Sequence, residues 1–336
     1  MQNFRANILS TSVIALGIAA LAVAAPASAG SGSQAGAQAE TQTVPMQRIG
    51  ETFVAMPVRI GDGDTMNWVV DTGASHSAIA QPAAEQFGFV SQMPHPEYDG
   101  PHNAELDDVQ SLTSLFQAER FQLADVRIAN RPPVELNAVV VPVTNDEPAV
   151  VAGLLGADAF SDSDYRIDFA AAEMEFGPLR VAHVDGVLSE ELQIVFGAAR
   201  VDRFRSPVRV MIDSGTPRTV INGYLGTRMR LREPGRYEVT GVDGRSSHSA
   251  ITVPIRGIQF GGVCLYRTNV LMANLDIFTA LDWVDEPAMV IGMDLLQHAE
   301  ITVDQETGQV QISMGGDARD CRRDRVQWST FDDRPS

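Results

Sequence analysis

Two short runs, Val69-Val70-Asp71-Thr72-Gly73-Ala74-Ser75 and Met211-Ile212-Asp213-Ser214-Gly215-Thr216, carry one pattern twice, 142 residues apart. Each is an apolar strand that ends in Asp, followed by a small hydroxyl residue and Gly. A single step of this kind is ordinary turn chemistry. Two of them, in matching halves of one chain, restrict the fold to one that repeats itself.

The flanking sequence repeats as well. Val54–Ile60 and Met66–Val70 read as a hairpin around Gly61-Asp62-Gly63-Asp64, and Leu192–Phe196 with Val208–Ile212 take the corresponding places before Asp213. Past each acidic run, apolar residues return at equal distance, as Ala78-Ile79 and Val220-Ile221. Leu154-Leu155-Gly156-Ala157-Asp158-Ala159-Phe160 then aligns with Val290-Ile291-Gly292-Met293-Asp294-Leu295-Leu296. Asp168 and Asp304 follow at one spacing from Asp158 and Asp294, and Met174-Glu175-Phe176 sits where Val310-Gln311-Ile312 sits. Short apolar runs broken by Gly, Pro, Asn and Asp predict many short strands. Helix is minor: Gln81–Phe87, with Pro82 near its first turn and Gly88 after it, and a short turn over Asp294–His298.

The 336 residues therefore divide into two β lobes, 49–181 and 182–315, with flanking segments. Arg5, the apolar run Val13 to Ala25 and Ala27-Ser28-Ala29 make residues 1–29 a secretory signal peptide, cleaved near Ala29. The alternative, an uncleaved anchor, falls short of the ~20 apolar residues that a span needs. The expectation is an exported, periplasmic bacterial protein with no stable membrane insertion once the signal is gone. Residues 30–48, rich in Gly, Ser, Ala and Gln, read as a flexible leader, and 316–336 as a charged tail. A formal net charge of −18 disfavours nucleic acid and anionic membrane as partners. Cys264 and Cys321, in an exported chain, either form a disulfide that pins the tail to the second half or stay as separate thiols.

The repeated Asp points to chemistry. A peptide bond yields to water only when a base activates the water and an acid protonates the departing groups. Two carboxylates held about 3 Å apart cannot both ionise cheaply, so they share a proton, and one serves as base while the other serves as acid. Asp71 and Asp213 are the candidate catalytic pair. The hydroxyls of Thr72 and Ser214 can fix the two loops across the lobe interface. Gly73 and Gly215 permit close backbone approach at a tight seam. Gly156 and Gly292, between apolar residues, let a later strand pass beneath each loop.

These runs resemble the pepsin–retropepsin superfamily of aspartic proteases, and more closely two retropepsin-type domains fused in tandem. The resemblance rests on Asp71-Thr72-Gly73-Ala74-Ser75, Asp213-Ser214-Gly215-Thr216, Leu154-Leu155-Gly156 and Val290-Ile291-Gly292. It implies an all-β fold of two homologous barrel lobes with a central cleft, a polypeptide substrate, an endopeptidase activity of the Asp71–Asp213 pair, no cofactor and a two-lobed monomer. Pro217 departs from the family, which usually carries Ser or Ala there. Residues 97–118, with Tyr98 and Gly100, lack an obvious short Gly-rich flap. The run Glu238-Val239-Thr240-Gly241-Val242-Asp243-Gly244 is the better flap candidate, with Gly241 and Gly244 at its tip. Which hairpin covers substrate stays open.

Plainer readings compete with each of these. The two Asp runs are alternatively a pair of structural turns, and the whole chain a protease-shaped module that binds extended peptide without cutting it. Asp158 and Asp294 read as helix caps. His76 and His298 stand without a second ligand at metal spacing, so no metal site is expected.

Overall fold

In the computed structural model, residues 41–50, 52–88, 106–141, 151–202, 204–229, 236–240 and 247–316 are described. The first half runs through β1 (Gln42–Pro45), β2 (Gln47–Ile49), β3 (Phe53–Ile60), β4 (Thr65–Val70) and β5 (Ala78–Ala80) into helix α1 (Gln81–Gln86). It continues as β6 (Leu106–Gln110), β7 (Leu115–Ile128), β8 (Val134–Val141) and β9 (Gly153–Leu155). A 3-10 turn, Ala157–Ala159, then leads into the hairpin of β10 (Tyr165–Asp168) and β11 (Glu173–Phe176). The second half begins with β12 (Gly186–Leu188), β13 (Val195–Val201), β14 (Val208–Ile212), β15 (Val220–Ile221) and α2 (Gly223–Arg228). After these come β16 (Arg236–Thr240), β17 (Ser247–Phe260), β18 (Val263–Met272) and α3 (Asp276–Ala280). It closes with β19 (Ala288–Ile291), α4 (Met293–Leu296), β20 (Ala299–Val303) and β21 (Gln309–Met314).

The same barrel forms twice. In the first half the strand order is β3-β4-β9-β5-β8-β7, and pairing of β3 with β7 closes it. In the second half the order is β13-β14-β19-β15-β18-β17, closed by β13 on β17. The strands that carry the acidic runs lie at the centre of each barrel, parallel to a later strand: Val70 pairs with Leu155 and Ile212 with Ile291. Covered on both faces, such strands need uninterrupted apolar residues rather than alternation. Trp68-Val69-Val70 and Ala288-Met289-Val290-Ile291 supply them, all buried.

A shared sheet joins the barrels, in the order β1-β11-β10-β20-β21-β12. Its middle pair, β10 and β20, is antiparallel, with Tyr165 opposite Val303, Ile167 opposite Ile301 and Arg166 opposite Thr302. The crossing register places a pseudo-two-fold axis at the Arg166–Thr302 pair, where Arg166 Nε donates to Thr302 Oγ1 at 3.2 Å. Ile167 and Ile301 are both fully buried, within one core that also holds Trp68, Phe169 and Phe260.

Several expectations shift. The leader was expected to extend to residue 48, yet Gln42–Pro45 and Gln47–Ile49 are strands. Val44 and Met46 are buried, and β1 pairs with β11 as β12 pairs with β21. Sparse apolar residues sufficed because an edge strand needs only one covered face. A cut at 181/182 does not separate two independent sheets, since β10 and β11 join strands of the second half. The strand expected over Leu192–Phe196 begins at Val195, because Ser189 turns the chain first: its Oγ accepts from Leu192 N at 3.2 Å and its carbonyl from Gln193 N at 2.8 Å. Residues 1–29, most of the leader and 317–336 lie outside the described residues.

Because Ile167 and Ile301 are fully buried opposite one another on β10 and β20, Ile167→Ala and Ile301→Ala should each cost about 2–5 kcal/mol. The double variant should cost less than their sum, since the two changes share one neighbourhood. Urea unfolding of the three variants measures both expectations.

Candidate active site

Asp71 and Asp213 leave the ends of β4 and β14, and each is tied to the neighbouring parallel strand before its loop begins. Asp71 N donates to Leu155 O at 2.9 Å and Asp213 N to Ile291 O at 3.0 Å. Their rigid strands bring the two loops face to face. Asp71 is 8 % exposed and Asp213 5 %. Each carboxylate accepts the N–H of the glycine two residues on, at 2.9 Å from Gly73 to Asp71 and 2.8 Å from Gly215 to Asp213.

The seam is held by a reciprocal exchange. Thr72 N donates to Ser214 Oγ at 3.0 Å, and Ser214 N donates to Thr72 Oγ1 at 3.0 Å. The hydroxyls pass the bond on, from Thr72 Oγ1 to Ile212 O at 3.2 Å and from Ser214 Oγ to Val70 O at 2.7 Å. Every one of these groups is buried, so each would be costly to leave without a partner.

The glycines explain how two acids fit there. A Cβ added to Gly73 would stand 2.5 Å from Asp213 Cγ. One added to Gly215 would meet the Asp71 carboxylate. The carboxylates thus lie on the bare backbone of the opposite loop and hydrogen-bond to one another. Burial pushes the Asp71 carboxyl above the usual carboxylate range. Burial, reinforced by the Asp71 charge, pushes Asp213 well above it. Two negative charges cannot both be held there cheaply, so the pair keeps one proton between them and titrates as a unit.

A second tier repeats on both sides. Ser77 N and Oγ donate to Asp158 Oδ1 at 2.9 and 2.8 Å, and Thr219 N and Oγ1 donate to Asp294 Oδ1 at 2.8 and 2.7 Å. The same hydroxyls accept from Gly156 N at 3.2 Å and Gly292 N at 3.0 Å. Asp158 and Asp294 sit in the first turns of short helices, as expected, but their carboxylates clamp the active loops rather than cap those helices. Burial raises the carboxyls of both. Ser77 and Thr219 went unnoticed in the sequence, although their spacing equals that of the Asp pair. His76 neighbours Asp158, while Arg218, its counterpart, holds Nε 3.5 Å from Asp294 Oδ2. Gly156 and Gly292 make the predicted close passage, since a Cβ would stand 2.5 Å from His76 C and 2.7 Å from Arg218 C. Pro217 leaves the loop intact because its bonds use carbonyls: Met293 N donates to Thr216 O at 2.9 Å and Asp294 N to Pro217 O at 3.2 Å.

Within residues 97–118, which show no short Gly-rich flap in sequence, the first half carries a hairpin, β6 with β7. Its turn, Ser111-Leu112-Thr113-Ser114, is closed by a hydroxyl instead of glycine: Ser111 Oγ accepts from Thr113 N at 3.2 Å and Ser114 N at 3.1 Å. The second half has the equivalent hairpin, β16 with β17. Gly241 and Gly244 lie outside the described residues. Cys264 is disulfide-bonded, and Cys321, its expected partner, also lies outside them. Among the described residues no group of three metal-ligating side chains gathers.

Residues 56–159 match the family described as aspartyl protease, of the retropepsin-like type. No curated protein matches the chain. Among solved structures, the crystal structure of conglutin gamma, a basic 7S globulin from lupine seeds, is similar with a TM-score of 0.45 and 11 % identity. That alignment spans 82 % of this chain and 95 % of the lupine chain.

Two outcomes follow from the seam. Ser214→Ala should cost about 1–3 kcal/mol in urea unfolding, because Thr72 N is left buried without an acceptor, while Thr72→Ser keeps its hydroxyl and should stay near wild type. Asp213 binds its proton more tightly folded than unfolded, so its stabilising contribution is complete below the ordinary carboxylate range and is lost as pH rises through its raised value. The urea midpoints of wild type and Asp213→Asn should lie close at about pH 3, and the variant should be the more stable at about pH 7.

Proposed function

We propose that this chain, whose first lobe matches the aspartyl proteases over residues 56–159, is an aspartic-type endopeptidase that works as a two-lobed monomer. The observation that carries the proposal is the pair of buried carboxylates, each seated on the glycine backbone of the opposite loop. In this reading the pair holds one proton, and with that proton on Asp213, Asp71 takes a proton from a water molecule held between the acids. The water oxygen bonds to the carbonyl carbon of the substrate, and Asp213 gives its proton to the carbonyl oxygen. Collapse of the tetrahedral adduct breaks the C–N bond, and the proton held by Asp71 passes to the departing nitrogen. Asp213 recovers a proton as the new carboxyl group forms, which restores the pair.

The residues around the pair suit that cycle. Reciprocal bonding by Thr72 and Ser214 holds the acids in register, as reactions that tolerate little misplacement require. Burial disfavours a double negative charge, so one proton stays in the site well above the pH at which a free carboxyl ionises. The substrate proposed is an extended polypeptide laid between the lobes. The signal peptide read over residues 1–29 supports export to the periplasm as part of the same proposal. Among the described residues no helix is long and apolar enough to cross a membrane.

Purified protein incubated with a mixed peptide library should yield cut products, with a bell-shaped dependence on pH. Asp71→Asn and Asp213→Asn should each abolish cleavage while keeping the fold. Cleavage retained by both variants would overturn the proposal. Peptide bound but never cut at any pH would replace it with a silent peptide-binding module.

A further inference from the structure

Arg131, in the turn between β7 and β8, is a cation that the proposed cycle leaves unused, and its side chain is only 5 % exposed. A guanidinium taken out of water has to be paired and hydrogen-bonded. One partner is Asp162, whose Oδ1 accepts from Nη2 at 2.5 Å. The guanidinium also lies on the Phe176 ring of β11, with Cζ 3.8 Å from the ring centroid. The remaining partner is a backbone carbonyl: Nη1 donates to Ala159 O at 3.1 Å.

Ala159 ends the 3-10 turn on which the first acidic loop rests. Ala157 N donates to Ala74 O at 2.9 Å and Asp158 N to Ser75 O at 3.3 Å, while the Asp158 carboxylate holds Ser77. Helix α4 supports the second loop by the same bonds, from Met293 N to Thr216 O and from Asp294 N to Pro217 O. The far ends of the two supports differ. Leu295, the counterpart of Ala159, turns its carbonyl to His298 N at 3.3 Å, and Met293 O accepts from Gln297 N at 3.1 Å. The backbone of α4 therefore closes on itself. In the first half the carbonyl of Ala159 accepts instead from a side chain that arrives from another turn. Through Phe176, that side chain also touches the sheet shared by the two lobes.

We propose that Arg131 is a positioning residue for Asp71: its guanidinium anchors the turn Ala157–Ala159 to the shared sheet, and so gives the first loop the fixed support that α4 gives the second. It acts through that turn and touches no reacting atom. The proposal deepens the peptidase reading and rests on it only for the kinetic consequence. The planar fork suits the task, because two nitrogens on one rigid group serve Ala159 O and Asp162 together. One half thus secures its acid with backbone alone, the other with a buried charge.

The test compares the two supports within one molecule. In Arg131→Met, which keeps an apolar stem against Phe176, hydrogen exchange at the Ala157 and Asp158 amides should quicken about tenfold, the effect of losing a hydrogen bond from a charged donor. The Met293 and Asp294 amides should keep their wild-type rates, whereas a general loss of stability would move both pairs. On a peptide that the wild type cuts, kcat should fall about tenfold at unchanged KM, since a misplaced acid affects the reacting atoms and not the binding of substrate. If Arg131→Met does not fold, Asp162→Asn decides: that side chain is 56 % exposed, and its loss should quicken the same first-half amides about threefold. Equal quickening at both supports, or none at Ala157 and Asp158 in the variant that folds, overturns the anchor. An unchanged kcat where those amides do quicken also overturns it. If the amides behave as expected while no form, wild type included, cuts any peptide, the anchor stands and the peptidase reading falls.

Discussion

Everything in this protein depends on two backbone amides that find their acceptors on the other half of the chain. Thr72 N reaches Ser214 and Ser214 N reaches Thr72, so neither loop is complete alone. Buried amides without acceptors cost more than most surface contacts return, and this makes the seam an all-or-none structure. Once it closes, the carboxylates have only the opposite glycine backbone to lie on. The raised proton affinity of the pair is then a consequence of packing, not a separate device.

Rigidity arrives from below. Each acidic loop is clamped by a hydroxyl that accepts from a glycine amide and donates to a buried carboxylate, as Gly156, Ser77 and Asp158 do in one half and Gly292, Thr219 and Asp294 in the other. Beneath that tier run the parallel pairs of β4 with β9 and β14 with β19, buried on both faces. The order of forces is thus apolar burial first, then hydroxyl relays, then the acids.

Much of this was legible in the sequence, and the reason is arithmetic. Two halves that form the same barrel write each structural demand twice, so Asp71 with Asp213, Gly73 with Gly215 and Gly156 with Gly292 identify themselves by spacing. Ser77 and Thr219 obeyed the same spacing but differ in type, and a serine among serines carries no signal of its own. The β6–β7 hairpin stayed hidden because hydroxyl groups close its turn where glycine was sought. Strand β1 was concealed by its polar neighbours, since Val44 and Met46 are buried amid Gln, Thr, Pro and Arg. The contact of Thr113, in the β6–β7 turn, with His248 was beyond any sequence reading, because it joins residues that share no pattern and meet only through the tertiary fold.

The pair at the centre of the shared sheet has its own consequence. On a two-fold axis, an assembly of identical subunits must set a residue against its own copy. Here Arg166 faces Thr302 instead, and its guanidinium turns to Glu175 at 2.9 Å. Two copies of the first half alone would confront guanidinium with guanidinium at that point, each repelling the other across the joint. With both halves in one chain, that point need not be self-complementary, and the joint is built from unlike side chains.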